Sequence, residues 1–292
     1  MAQKLLKMLT AKRVAASSLV CLGLYLFCCP ILNEGLYQRL AVMPNHLPMD
    51  LLNSYEMGNY SGQHCFFPVV DNPGRVLNLH GVYFKAKENR GTVIFSLGNS
   101  GCLSSMLGGR QQLAILDMGY NLFVYDYEGF GESQGEANYR VLGRDGISAY
   151  NYVREKLKAD KIILYGISMG AGVSAYVAQQ KPVKGVVLDS PFISPEVTIK
   201  KWFPIMNIYP HAFFPEPRYD NQAYLMAKHP PTLIFTKGLD EVVGATQGLT
   251  LGSTALPPTQ SFLLPQSAHA YISHNDNPVF LKQLKSFLVA MR

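Results

Sequence analysis

The strongest constraint on the fold of this chain is a repeated alternation of apolar, β-rich runs with amphipathic helical patterns. Several of the runs, such as TVIF, IILY and VVL, are continuously apolar, as expected of strands that are buried on both faces. The strand-like runs cover residues 65–70, 76–84, 92–97, 121–127, 161–165, 186–189, 232–236 and 261–264. Such alternation predicts an α/β fold with a mostly parallel sheet of about eight strands and helices on both faces.

The pattern Gly-x-Ser-x-Gly, which is typical of a nucleophile elbow, occurs around Ser133 and again around Ser168. An elbow is a tight turn from a buried strand directly into a helix, and its glycines avoid clashes that a Cβ atom would cause. The run KIILY leads straight into the second motif, and the helical stretch AGVSAYVAQQ leaves it. Neither condition holds around Ser133. The sequence therefore predicts Ser168 as a nucleophile and Ser133 as a loop residue.

A catalytic serine also needs an imidazole that accepts its proton and a carboxylate that orients the imidazole. Downstream of an elbow of this kind, the acid precedes the histidine in the chain. Asp240, just past the run TLIFT, is the first candidate acid, and Glu241 and Asp189 are the alternatives. Two histidines follow the last strand-like run. The loop position favours His269 as the base, with His274 as the alternative.

The tetrahedral intermediate of acyl transfer needs backbone N–H groups that point at its oxyanion. One is expected from Met169, directly after the predicted nucleophile, and the other from the loop at residues 98–101. The sequence has no metal-ligand spacing, phosphate-binding loop or dinucleotide fingerprint. We therefore expect neither a metal nor a cofactor.

Several segments from residue 76 to the C-terminal part of the chain resemble a known family. They are LNLHGVYFKAKENRGTVIFSLGNSG, YDYEGFGESQG, YGISMGAG, LDSPF and PTLIFTKGLDEVV. Together they resemble the small-lid serine hydrolases of the α/β-hydrolase superfamily, in the branch that includes membrane-associated esterases and protein depalmitoylases. The resemblance implies the α/β-hydrolase fold, with Ser168 as nucleophile, Asp240 as acid, His269 as base, and Asn99 and Met169 as oxyanion donors.

The N-terminus combines a basic flank with an apolar segment. Residues 14–32 contain no charged residue, and a helix of this length rises about 28 Å, close to the roughly 30 Å of a hydrocarbon core. The residues that follow fit a signal-peptidase site poorly. We therefore predict a transmembrane signal anchor, with residues 1–13 in the cytoplasm and the enzyme domain on the opposite side of the membrane. A secreted or lipid-anchored protein, produced by signal cleavage, is the alternative.

The rest of the chain is expected to form a juxtamembrane segment at residues 33–63 and one hydrolase domain at residues 64–292. Within that domain, residues 192–221 interrupt the alternation and are rich in aromatic residues and proline. They form either a long connection that packs on the core or a small lid over a site at the strand ends.

The net charge of +6 does not indicate a nucleic-acid binder, because four cations lie in the basic flank and no Lys/Arg-rich run occurs elsewhere. We predict a serine hydrolase that cleaves carboxylic esters or thioesters through an acyl-enzyme on Ser168. The anchor and the aromatic segment favour amphipathic, lipid-like or acylated-protein substrates near a membrane. A catalytically silent protein that binds a lipid or a protein partner is the first alternative, and a serine peptidase is the second.

Overall fold

The computed structural model describes residues 2–70 and 74–291, and the side chains of these residues except 2–12 and 15. Nine strands of this described part form one sheet, in the order β1-β2-β3-β5-β4-β6-β7-β8-β9. The strands are β1 (Tyr55–Met57), β2 (Tyr60–Val70), β3 (Val76–Phe84), β4 (Thr92–Ser96), β5 (Asn121–Tyr125), β6 (Ile162–Ile167), β7 (Gly185–Asp189), β8 (Thr232–Leu239) and β9 (Thr259–Ala268). From β1 to β5 neighbouring strands pair antiparallel, and from β5 to β9 they pair parallel.

The predicted mostly parallel sheet is therefore confirmed, but it has nine strands and not about eight. The additional strand, β1, is only three residues long and pairs with β2 at the edge of the sheet. It is partly exposed and has no apolar run that periodicity could detect. In contrast, every residue of β4, β5, β6 and β7 is buried, because both faces of the central sheet are covered.

Helices connect most of the parallel strands, and two short 3-10 helices, Pro204–Ile208 and His211–Phe213, follow Trp202. Within the described residues the α-helices are α1 (Ala2–Cys28), α2 (Glu34–Ala41), α3 (Leu103–Met106), α4 (Arg110–Asp117), α5 (Leu142–Glu155), α6 (Met169–Ala178), α7 (Pro195–Trp202), α8 (Asn221–Met226), α9 (Ala245–Thr254) and α10 (Asn277–Ala290). The core-facing residues of α10 are Phe280, Leu284, Phe287 and Leu288, which repeat at helical spacing. This spacing is one of the amphipathic helical patterns that alternate with the apolar runs in the sequence.

The predicted transmembrane anchor at residues 14–32 is wrong. Among the described residues, no helix combines the length and the apolar character that crossing a membrane requires. The helical part of the predicted segment ends at Cys28, and the chain turns at Pro30, so this part rises only about 22 Å at 1.5 Å per residue. The single-pass topology with the enzyme domain across the membrane is overturned with it. The side chains of Lys4, Lys7 and Lys12, in the basic flank, lie outside the described residues.

The segment that follows α1 packs on the domain that contains the sheet. Asn33 caps α2 through a hydrogen bond from the Leu36 amide, and Glu34 forms an ion pair with Arg140, which lies just before α5. The ring of Tyr37 is buried and meets the ring of Tyr139 edge to face. Residues that were predicted to form a juxtamembrane segment thus contribute to the packed core.

Candidate active site

Ser168 lies at the carboxyl end of β6, in the turn that leads into α6. Its backbone has a φ of 54°, a conformation that residues other than glycine rarely adopt. Its amide donates to the Asp189 carbonyl at 2.9 Å. The two motif glycines are required by close approach of the backbone. A Cβ atom on Gly166 would lie 2.0 Å from the Gly170 carbonyl oxygen, and one on Gly170 would lie 2.1 Å from the Ser96 carbonyl oxygen. The strand–turn–helix geometry predicted for this motif is present.

Ser168, His269 and Asp240 are joined by hydrogen bonds in one line. The Nε2 atom of His269 lies 2.9 Å from the Ser168 hydroxyl oxygen, and its Nδ1 atom lies 2.8 Å from Oδ2 of Asp240. Each residue follows the carboxyl end of a different strand, namely β6, β8 and β9, so the parallel sheet brings together positions that are far apart in the sequence. The structure therefore brings together the three residues predicted as nucleophile, acid and base.

The second carboxylate oxygen of Asp240 is held by the loop that follows it. Oδ1 accepts the Val243 amide at 2.8 Å and the Gly244 amide at 3.3 Å. Burial opposes ionisation of this carboxyl group. The hydrogen bond and the charge of His269, together with the two amides, outweigh burial and lower the pKa of Asp240 below its usual value. An ionised Asp240 favours the proton on Nδ1 of His269, which leaves Nε2 free to accept a proton.

The loop that presents His269 is fixed by two residues that the sequence did not indicate. Ser190 accepts the Ala270 amide at 3.1 Å, and Gln111 donates through Nε2 to the Ala270 carbonyl at 2.9 Å. Gln111 is 5% exposed, although it lies on a helix far from the loop in sequence. No local pattern marks such contacts, because they depend on how the loop and the helix pack.

The alternative candidates lie in different surroundings. His274 is exposed in the turn before α10. The neighbouring Asp276 accepts hydrogen bonds from the Gln266 amide and the Ser267 hydroxyl group, which fixes the end of β9. Ser133 is buried; its hydroxyl group donates to the Asp126 carbonyl and accepts the His80 amide, both at 2.9 Å. These contacts give Ser133 a role in holding its loop.

Asp189, the weaker alternative for the acid, pairs with a lysine on the next strand. Nζ of Lys237 lies 2.8 Å from Oδ1 of Asp189, and both side chains are fully buried. The hydroxyl group of Tyr165 donates to Oδ2 of Asp189 at 2.7 Å. The Asp189 carboxylate therefore bonds to Lys237 and Tyr165, whereas the Asp240 carboxylate contacts the imidazole of His269. Glu241, the other alternative, is exposed.

The loop after β4, which contains Gly98 and Asn99, borders the nucleophile. A Cβ atom on Gly98 would lie 3.5 Å from Cβ of Ser168. The other predicted oxyanion donor, Met169, is the first residue of α6, where amides have no acceptor within the helix. Asn99, Met169 and Ser168 all line one cavity. The predicted nucleophile and the two predicted donors thus share one surface.

The side chain of Asn99 points toward the N-terminal part of the chain. Its Nδ2 donates to the Ala41 carbonyl at 3.1 Å, and its Oδ1 accepts the Met43 amide at 2.8 Å. Asn45 donates to the Ser100 carbonyl at 3.0 Å, and its own carbonyl accepts the Gly131 amide. We call residues 41–49 the strap. The sequence did not indicate its contacts, because an irregular segment shows no periodic pattern.

The segment at residues 192–221 borders the same cavity through α7. Trp202, at the end of α7, donates from Nε1 to the Val242 carbonyl at 3.0 Å, and Lys201 donates to the Glu241 carbonyl, also at 3.0 Å. These contacts join α7 to the loop that contains Asp240. The lid remains a prediction, because a lid is defined by its movement.

Metal ligation has no support in the described part of the chain, where no group of three or more His, Cys, Asp or Glu side chains is arranged to hold an ion. A cavity of about 440 Å³ lies at the amino ends of the parallel strands, next to Thr92 and Asn121. This cavity is thus at the opposite end of the sheet from Ser168. The candidate site is therefore defined by the hydrogen bonds that join Ser168, His269 and Asp240 at the carboxyl ends of the strands.

The nine-stranded sheet, the elbow and the order of the three residues define the class of protein. A family model described as the alpha/beta hydrolase fold matches residues 98–274, which is more than half of the chain. This chain therefore belongs to the alpha/beta hydrolase fold family, and the resemblance seen in its sequence is confirmed. The family membership supports a hydrolase in general terms.

Individual relatives are distant. The chain is 26% identical to alpha/beta hydrolase domain-containing protein 17B of Homo sapiens over 293 residues, which cover 90% of this chain and 94% of that one. It is 27% identical to an uncharacterized protein of Mycobacterium tuberculosis over 221 residues, which cover 73% and 75%. Among solved structures, an esterase of Pyrococcus furiosus superposes with a TM-score of 0.64 at 16% identity, covering 85% of this chain and 98% of the esterase. At such identity the likeness extends to the fold alone.

Proposed function

We propose that this protein is a serine esterase in which Ser168 is the nucleophile, His269 the general base and Asp240 the residue that orients His269. The observation that supports this proposal is the continuous line of hydrogen bonds from the Ser168 hydroxyl to Nε2 of His269 and from Nδ1 to Asp240, at 2.9 and 2.8 Å. The first distance is within the range required for proton transfer between a nucleophile and its base, and the second is that of a hydrogen bond that orients the imidazole.

In the first step, the Ser168 hydroxyl oxygen attacks the ester carbonyl carbon while Nε2 of His269 takes the hydroxyl proton. The tetrahedral intermediate collapses, the bond to the leaving oxygen breaks, and His269 gives that oxygen the proton as the alcohol departs. In the second step, water attacks the acyl-enzyme, His269 accepts a proton from the water, and the same proton returns to Ser168 as the carboxylic acid is released. Asp240 stabilises the imidazolium in both steps.

The amides of Met169 and Asn99 are the proposed donors to the oxyanion. Two features support them: Met169 is at the N-terminus of α6, where the helix dipole favours negative charge, and the Gly98–Asn99 loop borders Ser168. Removal of one such donor typically lowers kcat by about 10²–10³.

The substrate class follows from the lining of the cavity beside Ser168. Most of its side chains are apolar, which suits the acyl part of a carboxylic ester or thioester. The predicted preference for lipid-like or acylated-protein substrates at a membrane has lost its main argument, since that argument depended on a membrane-spanning helix. The proposal is therefore an esterase or thioesterase for small-molecule substrates. Segment 192–221 is proposed as its lid, because α7 forms one wall of the cavity.

The test is labelling of the full chain with a fluorophosphonate probe, which reacts with an activated serine. We expect labelling of the wild type and of Ser133→Ala, and none of Ser168→Ala. His269→Ala should lose labelling and His274→Ala should keep it, which makes the two histidine variants a matched pair. If the folded wild type stays unlabelled, the catalytically silent alternative replaces the esterase.

A further inference from the structure

The cavity beside Ser168 is small and is closed on one side by α7. Its volume is about 60 Å³. Its walls come from the strap, the loop at residues 98–101, the elbow, α7 and the loop after Asp240. Sites for drug-sized ligands are commonly about 300–1,000 Å³. This cavity therefore holds only a fragment of a substrate.

The surface that the cavity presents is apolar, because the polar groups on its α7 side make hydrogen bonds elsewhere. The Thr198 hydroxyl lies 3.4 Å from the Ser194 carbonyl, and the Trp202 indole N–H lies 3.0 Å from the Val242 carbonyl. The Tyr219 hydroxyl donates to the Tyr139 carbonyl and accepts the Gly143 amide. A saturated carbon chain fits such walls, whereas a charged or strongly polar group would lose its hydration without replacement.

The position of the cavity relative to His269 decides which half of an ester it holds. His269 must protonate the leaving oxygen, so the alcohol part lies on the His269 side of the carbonyl carbon. Among the described residues, none from the His269 loop lines the cavity, whereas Asn99 and Met169 do. The acyl part therefore enters the cavity. The alcohol part lies outside the cavity, on the side of His269.

We infer that this site takes esters of short, unbranched acyl groups and is tolerant of the alcohol. The inference rests on the proposed function and adds the substrate class to it. The length limit follows from the volume, because about 60 Å³ is far below the roughly 300–1,000 Å³ of a site for a drug-sized ligand. Longer chains require α7 to move.

Trp202 sets the length limit from the side of α7. The ring of Trp202 lines the cavity and is 36% exposed. Its hydrogen bond to the Val242 carbonyl holds the ring against the loop after Asp240. Removal of the ring opens the cavity toward solvent and makes room for additional methylene groups. The adjacent aromatic residue, Phe203, has a similar exposure of 38% and, within the described lining, does not contribute to the cavity. It therefore offers a matched control.

The experiment measures kcat/KM of the full chain for p-nitrophenyl acetate, butyrate and octanoate. For the wild type we expect a fall of about tenfold or more from butyrate to octanoate, since even one methylene that fails to fit a hydrophobic pocket costs on the order of 10–200-fold. Trp202→Ala should shrink or reverse this ratio, while Trp202→Phe and Phe203→Ala should keep it. Acetates of p-nitrophenol and of the bulkier 4-methylumbelliferone, which have similar acidity, should react at rates of the same order.

Fluorophosphonate labelling of each variant separates the short-acyl inference from the esterase function on which it rests. A labelled wild type that prefers octanoate, or a Trp202→Ala variant with an unchanged ratio, would overturn the short-acyl inference and leave the esterase standing. An unlabelled wild type would overturn both. If Trp202→Ala does not fold, the wild-type series alone decides, because a preference for octanoate contradicts a cavity of this size.

Discussion

Replacement of Asn99 by alanine tests whether the strap holds the proposed oxyanion loop. The substitution removes three hydrogen bonds of the side chain: one to the Ala41 carbonyl at 3.1 Å, one from the Met43 amide at 2.8 Å and one from the Ser100 amide at 3.1 Å. The backbone amide of Asn99, the proposed donor to the oxyanion, remains. Any effect on catalysis therefore reports the position of the loop.

The magnitude follows from these contacts. Each hydrogen bond contributes about 0.5–1.5 kcal/mol net, so the free energy of unfolding should fall by roughly 2–4 kcal/mol. Complete loss of one oxyanion donor lowers kcat by about 10²–10³, and a displaced loop should cause part of that loss, about 10–100-fold. The KM should change little, because the oxyanion forms only in the transition state.

The assay combines steady-state kinetics on p-nitrophenyl butyrate with urea unfolding of the same preparations. Asn53→Ala is the matched control, since Asn53 lies in the same N-terminal part of the chain and its side chain bonds to Asp50 on the surface. A folded Asn99→Ala variant with wild-type kcat would refute the view that the strap positions this loop. A rise in KM with unchanged kcat would refute it as well.

Three further predictions concern the elbow, the acid and a buried carboxyl group. Gly170→Ala should abolish activity and lower stability, because its Cβ atom would lie 2.1 Å from the Ser96 carbonyl oxygen; fluorophosphonate labelling and thermal unfolding check this. Asp240→Asn should lower kcat about 10⁴-fold with the fold intact by circular dichroism, since His269 loses the partner that fixes its tautomer. Burial raises the pKa of Asp145 to about 7, so the folded state binds a proton that the unfolded state releases near pH 4. The free energy of unfolding should therefore fall, by a few kcal/mol, as the pH rises from about 4 to 7, and urea titrations of Asp145→Asn should lack this component; an equal pH dependence in both proteins would contradict it.

The central strands could be predicted from the sequence because burial on both faces leaves a continuous apolar run. The run TVIF corresponds to β4 and VVL to β7, and each lies where the sheet is fully covered. β1 escaped detection because an exposed edge strand of three residues has no such signature. The membrane anchor was predicted wrongly because the prediction followed the uncharged run to residue 32, whereas the helix ends at Cys28.

The candidate site could likewise be predicted from the sequence only in part. The elbow around Ser168 could be located because its glycines, strand and helix are contiguous in the sequence. The two candidate histidines could not be separated with certainty, because the position of His269 depends on contacts of its loop with Ser190 and Gln111. Such contacts join distant segments and leave no local pattern. The catalytic roles of the three residues remain predictions until labelling tests them.

The buried pair of Lys237 and Asp189 has a consequence for how this sequence can change over evolutionary time. Removal of either side chain alone leaves an unpaired charge in the core beneath the elbow, which typically costs about 3–5 kcal/mol, a large part of the stability of an ordinary domain. Replacement of both by apolar residues of similar volume is often neutral. We therefore expect these two positions to covary among descendants of this sequence, as a lysine with an aspartate or as two uncharged residues, with single exchanges rare.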